Sequence, residues 1–567
     1  MSAEVLQADD PDALDWRATA DVIVIGFGAA GAVAALEARE HGADVLLLDR
    51  FEGGGATAYS GGIIYAGNTR HQREAGYDDP PSNMYAYLAQ EVGDAVDPAT
   101  LRRFCDDSGP NLAWLEQHGV PFRSSLFSGK STYPPEDKYL YYSGNEKLER
   151  FAAHAHPAPR GHRVFGKGWT GKDLFAQLKG AVERAGVRRL DHARAARLIV
   201  DAQRRVVGIE VTKLPDACAS QHQAFYQKVN PLMPFGFAKS NAAIAGADGL
   251  EKSAGASWKL RARRGVILAT GGFAYNLDLM RRHLPLYADS AECLLRLGSA
   301  GCNGDGLALA RSAGADLGKM DRIFAGRSIS PPFDLLRGIV VNQDGRRFIN
   351  EDAYNATLGE AIANQPGTKA WLILDGETFW SAFRGHLPRG DGNFMTFYLP
   401  SLLNILFGGT RRAATLDALA AKCGIDARQL QETLASYNAH AREGRPDALG
   451  KLADYAKPIE GSSYWAINLA MRNKYSFMLF FTLGGIRVDE ATGEALRADG
   501  TPIRGLYAAG RAAVGVCANT YACSGISLAD GVFSGRRAGR HAATAGSRPS
   551  SSESTPWQMP TATTSSS

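Results

Sequence analysis

The chain has 567 residues, 45% of them hydrophobic and 22% charged, with a formal net charge of +4. That length exceeds what one core supports and implies two or more lobes; so small a charge, with no dense Lys/Arg tract, excludes nucleic acid as a partner. The 7 cysteines, an odd number with no CxxC spacing, read as free thiols of a reducing compartment and suggest no metal site.

Residues 1 to 17 read as a loose acidic leader without the basic and apolar regions of a signal peptide. No apolar run reaches the length of a membrane span, so the expected location is cytoplasmic. Between Asp21 and Arg50 the chain reads DVIVIGFGAAGAVAALEAREHGADVLLLDR. The apolar run Val22–Ile25 meets Gly26, Gly28 and Gly31 at GxGxxG spacing. A helix opening at Ala29 and Ala30 follows, then a second apolar strand, 45–48, ending at Asp49. Gly26 allows the tight turn, Gly28 lets a pyrophosphate approach the backbone, and Gly31 lets helix and strand pack closely. The pyrophosphate rests on the free N–H groups of the helix start. Asp49 accepts hydrogen bonds from a ribose, with Arg50 beside it.

The next stretch, EGGGATAYSGG, adds a second glycine-rich turn, with Gly55, Ala56, Thr57, Ser60, Gly61 and Gly62 as cofactor contacts. A nicotinamide-only fold has no need of it. An extended FAD does, because its ring system needs close backbone approach and small hydroxyl donors.

Residues 96–120 then read as helical, 122–161 as a polar, Tyr-rich loop, and 174–185 as an amphipathic helix. Strands are expected at 196–200 and 206–211. The stretch 214–258 interrupts a strand pair and reads as a surface loop or lid. Strand signal returns at 265–268 and ends in ATGGF, where Ala269, Thr270 and Gly271 join the cofactor contacts, followed by Asp305 in NGDG. Residues 322–475 change character to mixed α+β and read as a substrate lobe, with strands at 338–342 and 370–374 and helices at 413–422 and 427–442. The dinucleotide signal resumes in TLGGI and GLYAAG, so the first lobe comprises 18–321 and 476–545. Gly510, Arg511 and a helix opened by Gly525, with Ser527 and Leu528, complete the flavin envelope. The dipole of that helix favours an anionic reduced ring. Residues 546–567, rich in Ser, Thr and Pro, read as a disordered tail.

The landmarks GFGAAG, GGGATAYSGG, ATGGF, NGDG, GIVVNQDGRRFINE, TLGGI and GLYAAG, in that order over residues 18–545, resemble the flavoproteins of the fumarate reductase and succinate dehydrogenase superfamily. The resemblance implies an α/β fold: a Rossmann-type FAD-binding domain interrupted by a smaller α+β substrate domain. In fumarate reductases of this superfamily an Arg follows the RRFINE segment and a His precedes the TxGG turn. Here Asn355 and Phe481 stand in those places. A dicarboxylate needs cationic partners, so a fumarate or succinate enzyme is excluded.

The pieces KYLYYSGNE (138–146), FINEDAY (348–354) and NTYACSG (519–525) are similar to the 3-ketosteroid dehydrogenases of the same superfamily, the Δ4-(5α) type more than the Δ1 type. That resemblance implies two catalytic tyrosines, Tyr354 from the substrate lobe and Tyr521 from the C-terminal flavin segment. Ser524 is an approximate match to a family serine, because Tyr-Ala-Cys-Ser-Gly is one residue longer than the family's run. Tyr141, Tyr142 and Phe481 are expected in the pocket wall.

Desaturation next to a ketone needs a polarised carbonyl, loss of an α-proton and hydride transfer to flavin N5. The expectation is Tyr521 with the Gly525 N–H at the carbonyl and Tyr354 with Ser524 near the α-proton, or the two roles exchanged. His162 reads as structural. The GATAYSGG turn contains no His, so the FAD is expected to be non-covalent. No second GxGxxG marks an NAD(P)H site, so a separate acceptor such as a quinone or carrier reoxidises it. The apolar stretches 394–409 and 231–237 suit contact with a membrane surface, against the alternative of a buried helix and a core-packed loop. Two other functions stay open at this point: an ene-reductase or dehydrogenase for another apolar unsaturated substrate, and a non-catalytic binder on the FAD fold.

Overall fold

The computed structural model describes residues 4–387, 394–445 and 447–545, without the side chains of 395 and 396. The expected tail at 546–567 lies outside the described residues. The first apolar run forms the strand Ala18–Ile25, flanked on both sides by parallel partners, Val45–Leu48 and Ala256–Leu268. Arg188–Leu190 and Pro502–Ala508 extend the parallel core outward. Strands covered on both faces read as continuous apolar runs rather than alternating ones. The 13-residue strand Ala256–Leu268 has two roles. Its first half pairs antiparallel with Val206–Lys213, and its second half joins the parallel core.

Three expectations are corrected here. Residues 4–17 are not a loose leader: Leu6–Ala8 adds a parallel strand to Ile199–Asp201, and Leu6, Leu14 and Trp16 pack on Ile199 and Val207. An open sheet edge takes up any short apolar segment that reaches it. The stretch 214–258 is not a loop but a pair of helices, Ala219–Gln227 and Phe237–Ala254, between two strands in continuous register. Its many alanines are good helix formers, and they outweigh the Ser and Gly content. The Tyr-rich segment 122–161 contributes two short strands, Leu126–Lys130 and Leu140–Tyr142, and leads into a third, Gly161–Arg163. With Ile63–Tyr65 they form a small sheet beside the second glycine turn.

A separate antiparallel sheet, in the order Ile339–Val341, Trp371–Asp375, Tyr464–Asn468, Arg411–Ala413, has its own cores on both faces. The expected strands near 340 and 372 and the helices near 418 and 435 lie here, as Leu416–Cys423 and Ala427–Glu443 for the helices. Between this sheet and the large one, Met478–Thr482 pairs with Ile323–Gly326 and Leu294–Arg296. That register sets Phe324 opposite Phe481.

Ile526–Thr544, the last helix among the described residues, packs on the first long one, Ala29–Glu40. A Cβ at Gly535 would lie 2.7 Å from the Ala30 carbonyl oxygen, and one at Gly539 would lie 2.4 Å from that of Ala34. Glu37, buried in the first helix, binds Arg536 at 2.6 Å and Arg540 at 2.7 Å. Removing one partner leaves the others' charge uncompensated, so Glu37→Ala is expected to cost about 2–4 kcal/mol, less than a fully buried pair because Arg540 reaches solvent. The measurement is the urea midpoint of unfolding; a midpoint equal to wild type would mean the pairs contribute nothing.

Candidate active site

A continuous groove runs from the GxGxxG turn to the join between the two sheets. At one end, Gly26 sits at φ +102°, and a Cβ there would lie 2.5 Å from the Ala269 carbonyl oxygen. Only glycine fits such a conformation and approach. Gly31 packs behind this turn, its Cβ position 1.8 Å from the Gly26 carbonyl oxygen. It therefore shapes the turn without lining the groove. Asp49 accepts from the Phe27 N–H at 2.7 Å and the Phe51 N–H at 2.8 Å. Burial raises its pKa, against those two bonds. It thus ties the glycine turn to the end of the second strand and keeps its remaining lone pairs for a ribose.

Thr57 accepts the Ala29 N–H at 2.8 Å, while the Ala30 backbone faces the groove. Gly28, Gly55, Ala56, Ser60, Gly61, Ala269, Thr270, Gly271 and Asp305 line it as expected. Gly62 does not: it is at φ +65° against Thr170, with its Cβ position 2.6 Å from the Thr170 backbone. It is a turn residue, selected by backbone shape. Arg50 lines the groove but spends its charge on Asp248 and Glu251, each at 2.6 Å. Asp305 is likewise held by Arg194 at 2.9 Å.

Gly510 (φ +59°), whose Cβ position is 2.7 Å from the Ala30 Cβ, stands beside the start of Ala29–Glu40 and donates its N–H to Ser534 at 2.9 Å. At the other end, Gly525 (φ +97°) precedes the helix Ile526–Thr544, whose first residues, Ser527 and Leu528, line the groove. Two helix N-termini thus open into one cavity. Each offers free N–H groups and a positive dipole end, one towards the glycine turn and one towards the far end. The buried hydroxyl of Thr270 has no protein partner and also lines the groove. A cradle of close-approach glycines, two helix N-termini and an orphaned donor suit an extended dinucleotide carrying a pyrophosphate.

Beyond Gly525 the wall becomes aromatic. Tyr354 and Tyr521 face each other with ring centroids 6.4 Å apart at 27°. Phe324 and Phe481 stack at 4.6 Å, and both meet Tyr521 edge-on, at 4.8 and 5.1 Å. The Arg511 guanidinium lies 4.8 Å over Phe481. The Tyr354 hydroxyl is 3.0 Å from Ser524 Oγ, which itself lies 3.0 Å from the Thr132 carbonyl oxygen. The extra residue in Tyr-Ala-Cys-Ser-Gly therefore does not carry Ser524 away from Tyr354. Burial raises the pKa of both tyrosines, so each is a neutral hydrogen-bond donor at rest. The serine hydroxyl can turn from Thr132 to Tyr354 and would then stabilise a phenolate.

The SGNE segment holds this arrangement. Asn145 Oδ1 accepts the Tyr354 N–H at 2.6 Å, and Ser143 accepts the Ser524 N–H at 2.9 Å through its carbonyl. One strand end thereby fixes both members of the hydroxyl pair, a role the sequence reading did not give it.

Tyr141 and Tyr142 do not line the groove. Tyr141 is fully buried behind it and donates to the Thr132 carbonyl at 3.2 Å. Tyr142 turns away, edge-on to Tyr77 at 6.2 Å with Lys147 over its ring at 4.2 Å. Adjacent strand residues point to opposite faces, so both could not have faced one pocket. His162 is structural, as expected: buried between Thr69 (2.8 Å) and the Arg160 carbonyl (2.9 Å), with burial pushing its pKa down to about 3. The wall residues missed from sequence include Phe324 and the stacked trio Tyr133, Trp169 and Phe397, with centroids 5.6 to 6.1 Å apart. The trio comes from three distant segments with no shared motif, so no local signal marks it.

Residues 21–528 match the FAD binding domain family. The 3-oxo-5-alpha-steroid 4-dehydrogenase of Comamonas testosteroni is 36% identical, the match covering 89% of this chain and 95% of that one. A 3-oxosteroid 1-dehydrogenase of Mycobacterium tuberculosis is 27% identical over 92% of this chain and 98% of its own length. Among solved structures, the 3-ketosteroid-Δ4-(5α)-dehydrogenase of Rhodococcus jostii, in complex with 4-androstene-3,17-dione, superposes with a TM-score of 0.78 at 34% identity, covering 95% of this chain and all of that one. This chain belongs to the FAD-binding flavoprotein family, and it is an FAD-dependent oxidoreductase.

Proposed function

We propose that this chain desaturates a 3-ketosteroid beside its ketone, in the Δ4-(5α) sense ahead of the Δ1 sense. The observation that carries this reading is the facing pair Tyr354 and Tyr521 in an aromatic pocket, with Ser524 3.0 Å from the Tyr354 hydroxyl. The names of the relatives support the substrate class and the preferred bond. Asn355 and Phe481 line the pocket where a dicarboxylate would need cations. When bound, FAD supplies the acceptor for the β-hydride.

The remaining work falls to side chains. Tyr521, protonated, donates to the ketone oxygen together with the Gly525 N–H, and this stabilises the enolate charge as the α-proton leaves. Tyr354, as phenolate, takes that proton while Ser524 holds its charge. The aromatic walls exclude water and suit a flat apolar ring system.

Purified protein is expected to be yellow and to bleach anaerobically with a saturated 5α-3-ketosteroid. Tyr354→Phe should slow flavin reduction about 10²–10⁴-fold, and Tyr521→Phe about 10²–10³-fold. Flavin that stays oxidised with saturated ketones, yet is reoxidised by an enone once reduced, would make the chain an ene-reductase instead.

A pH series gives a second check. Burial raises the Tyr354 pKa above its ordinary value, so the phenolate is the minority form and grows as pH rises. Reduction should quicken about tenfold per pH unit through the alkaline range, and Tyr354→Phe should flatten the profile. A wild-type rate independent of pH would remove Tyr354 from the base role.

No helix among the described residues is long and apolar enough to cross a membrane. We propose instead a surface contact with anionic lipid, where an apolar substrate and a quinone acceptor both dissolve. The two apolar stretches converge. Met233 (56%) and Phe235 (59%) are exposed on one, and Leu406 (53%) and Phe407 (60%) on the other. Phe235 and Phe407 both pack on Tyr475, at 5.9 and 5.8 Å. Exposed Arg472 and Lys474 stand beside them in the chain, and this mix favours anionic headgroups. The protein should co-sediment with phosphatidylglycerol vesicles and not with phosphatidylcholine ones, and Phe235→Ser with Phe407→Ser should release it. Equal recovery in the supernatant with both lipids would end this reading.

A further inference from the structure

The helical pair 219–254 is the largest feature that neither the fold nor the chemistry above accounts for. It does not project into solvent. Ala219–Gln227 carries His222 and Tyr226 one turn apart, and both lie on the Phe51 ring, at 4.5 and 4.8 Å. Phe51 follows directly on Asp49 and Arg50, at the end of the strand that presents the ribose-binding acid. The last turns of Phe237–Ala254 carry Asp248 and Glu251. Glu251 takes Arg50 at 2.6 Å, Arg194 at 2.9 Å and His222 at 3.0 Å. Asp248 takes the same two arginines at 2.6 and 2.8 Å. Both carboxylates therefore fasten the helical pair to the rim of the groove, where Arg50, Arg194 and Tyr226 all line it.

Two polar atoms on this rim are buried without a partner, the Tyr226 hydroxyl and Arg50 Nη1. An unsatisfied buried donor is costly, and two such donors on residues lining one groove point to a ligand that satisfies them. The Tyr226 hydroxyl is 3.4 Å from the Cβ position of Gly54, in the second glycine turn, and lies near Asp49 and Ser299. Asp49 carries the expected ribose contact and Gly54 donates its N–H to the Phe27 carbonyl at 2.8 Å, beside the first glycine turn, so both stand at the opposite end of the groove from the facing tyrosines. A phenol O–H and a guanidinium N–H suit acceptor oxygens of a ribose or a pyrophosphate.

We propose that the helical pair 219–254 is a latch over the ADP half of FAD, with the Tyr226 hydroxyl and Arg50 Nη1 as its contacts on the cofactor. Asp248 and Glu251 hold the latch shut by engaging Arg50 and Arg194. The adenosine end is thereby closed by a segment from outside the βαβ unit, and the latch sets how slowly FAD leaves.

The inference rests on FAD occupying the groove, and the test separates the two. Holoenzyme is diluted, and release of FAD is followed by the rise in free-flavin fluorescence. Tyr226→Phe should release FAD about five- to tenfold faster, the value of one neutral hydrogen bond. Asp248→Asn with Glu251→Gln, which leaves both contact groups in place, should also speed release.

Displacement by ADP locates the contact. If Tyr226 binds the ADP half, the variant loses ADP and FAD affinity equally, and the ADP-to-FAD ratio for half displacement stays at the wild-type value. A ratio lowered five- to tenfold would place the contact on the flavin half and overturn the proposal. An unchanged release rate in both variants would overturn it as well. Colourless protein, by contrast, would remove the FAD reading itself.

Discussion

The site depends on the crossing of two helices at backbone contact. Ala29–Glu40 is the helix of the chain's first βαβ unit and Ile526–Thr544 follows the parallel strand Pro502–Ala508, with most of the chain between them in sequence. Glycines at 535 and 539 leave no room for side chains at the crossing, so the two axes have little freedom to slide. Because each helix starts at the groove, that fixed crossing sets the distance between two positive helix ends. A dinucleotide of defined length needs such a spacing: one end would hold a pyrophosphate and the other would face the ring that takes up negative charge on reduction. The paired charges of Glu37 with Arg536 and Arg540 lie along the same contact and give it register as well as proximity.

The second constraint is dryness. The facing tyrosines are buried among Phe324, Phe481 and Tyr521's own neighbours, and burial raises their pKa values. In the proposed roles this is an advantage for Tyr521, since a carbonyl-polarising donor must keep its proton, and a cost for Tyr354, offset by the serine hydroxyl at its side. The same apolar wall thus pulls two identical side chains towards opposite requirements, and what distinguishes them is one hydroxyl neighbour each does or does not have. A low-dielectric wall also strengthens whatever hydrogen bonds form inside it.

Much of this was readable from the sequence. The βαβ unit, the second glycine turn and the helices near 418 and 435 follow from local patterns: apolar runs, glycine spacing, amphipathic period. Other parts were not, for reasons that are physical. The strands within 122–161 are three to five residues long, too short for any alternation to show, and they exist because Gly161–Arg163, itself paired with Ile63–Tyr65, offers Leu140–Tyr142 an edge. Leu6–Ala8 is the same case at the other side of the molecule. Gly62 was grouped with cofactor contacts because glycine-rich turns are read as units, whereas the structure divides this one into residues that face the groove and one that faces Thr170. The aromatic trio of Tyr133, Trp169 and Phe397 comes together only in three dimensions. The pairing of Tyr354 with Ser524 was expected from motif position alone; the SGNE clamp that produces it could not be read from either motif.

The hydroxyl chain behind Tyr354 ends on a backbone carbonyl. Thr132 receives hydrogen bonds from both Ser524 and Tyr141, and an amide oxygen accepts hydrogen bonds without taking on a proton at ordinary pH. Charge can be stabilised along this chain, but the carbonyl passes no proton on. With Tyr354 in the proposed base role, a hydrogen it takes up finds no relay through Thr132. Until that hydrogen exchanges by another route it stays within reach of the carbon that lost it, so a turnover holds a short isotopic memory of its own substrate.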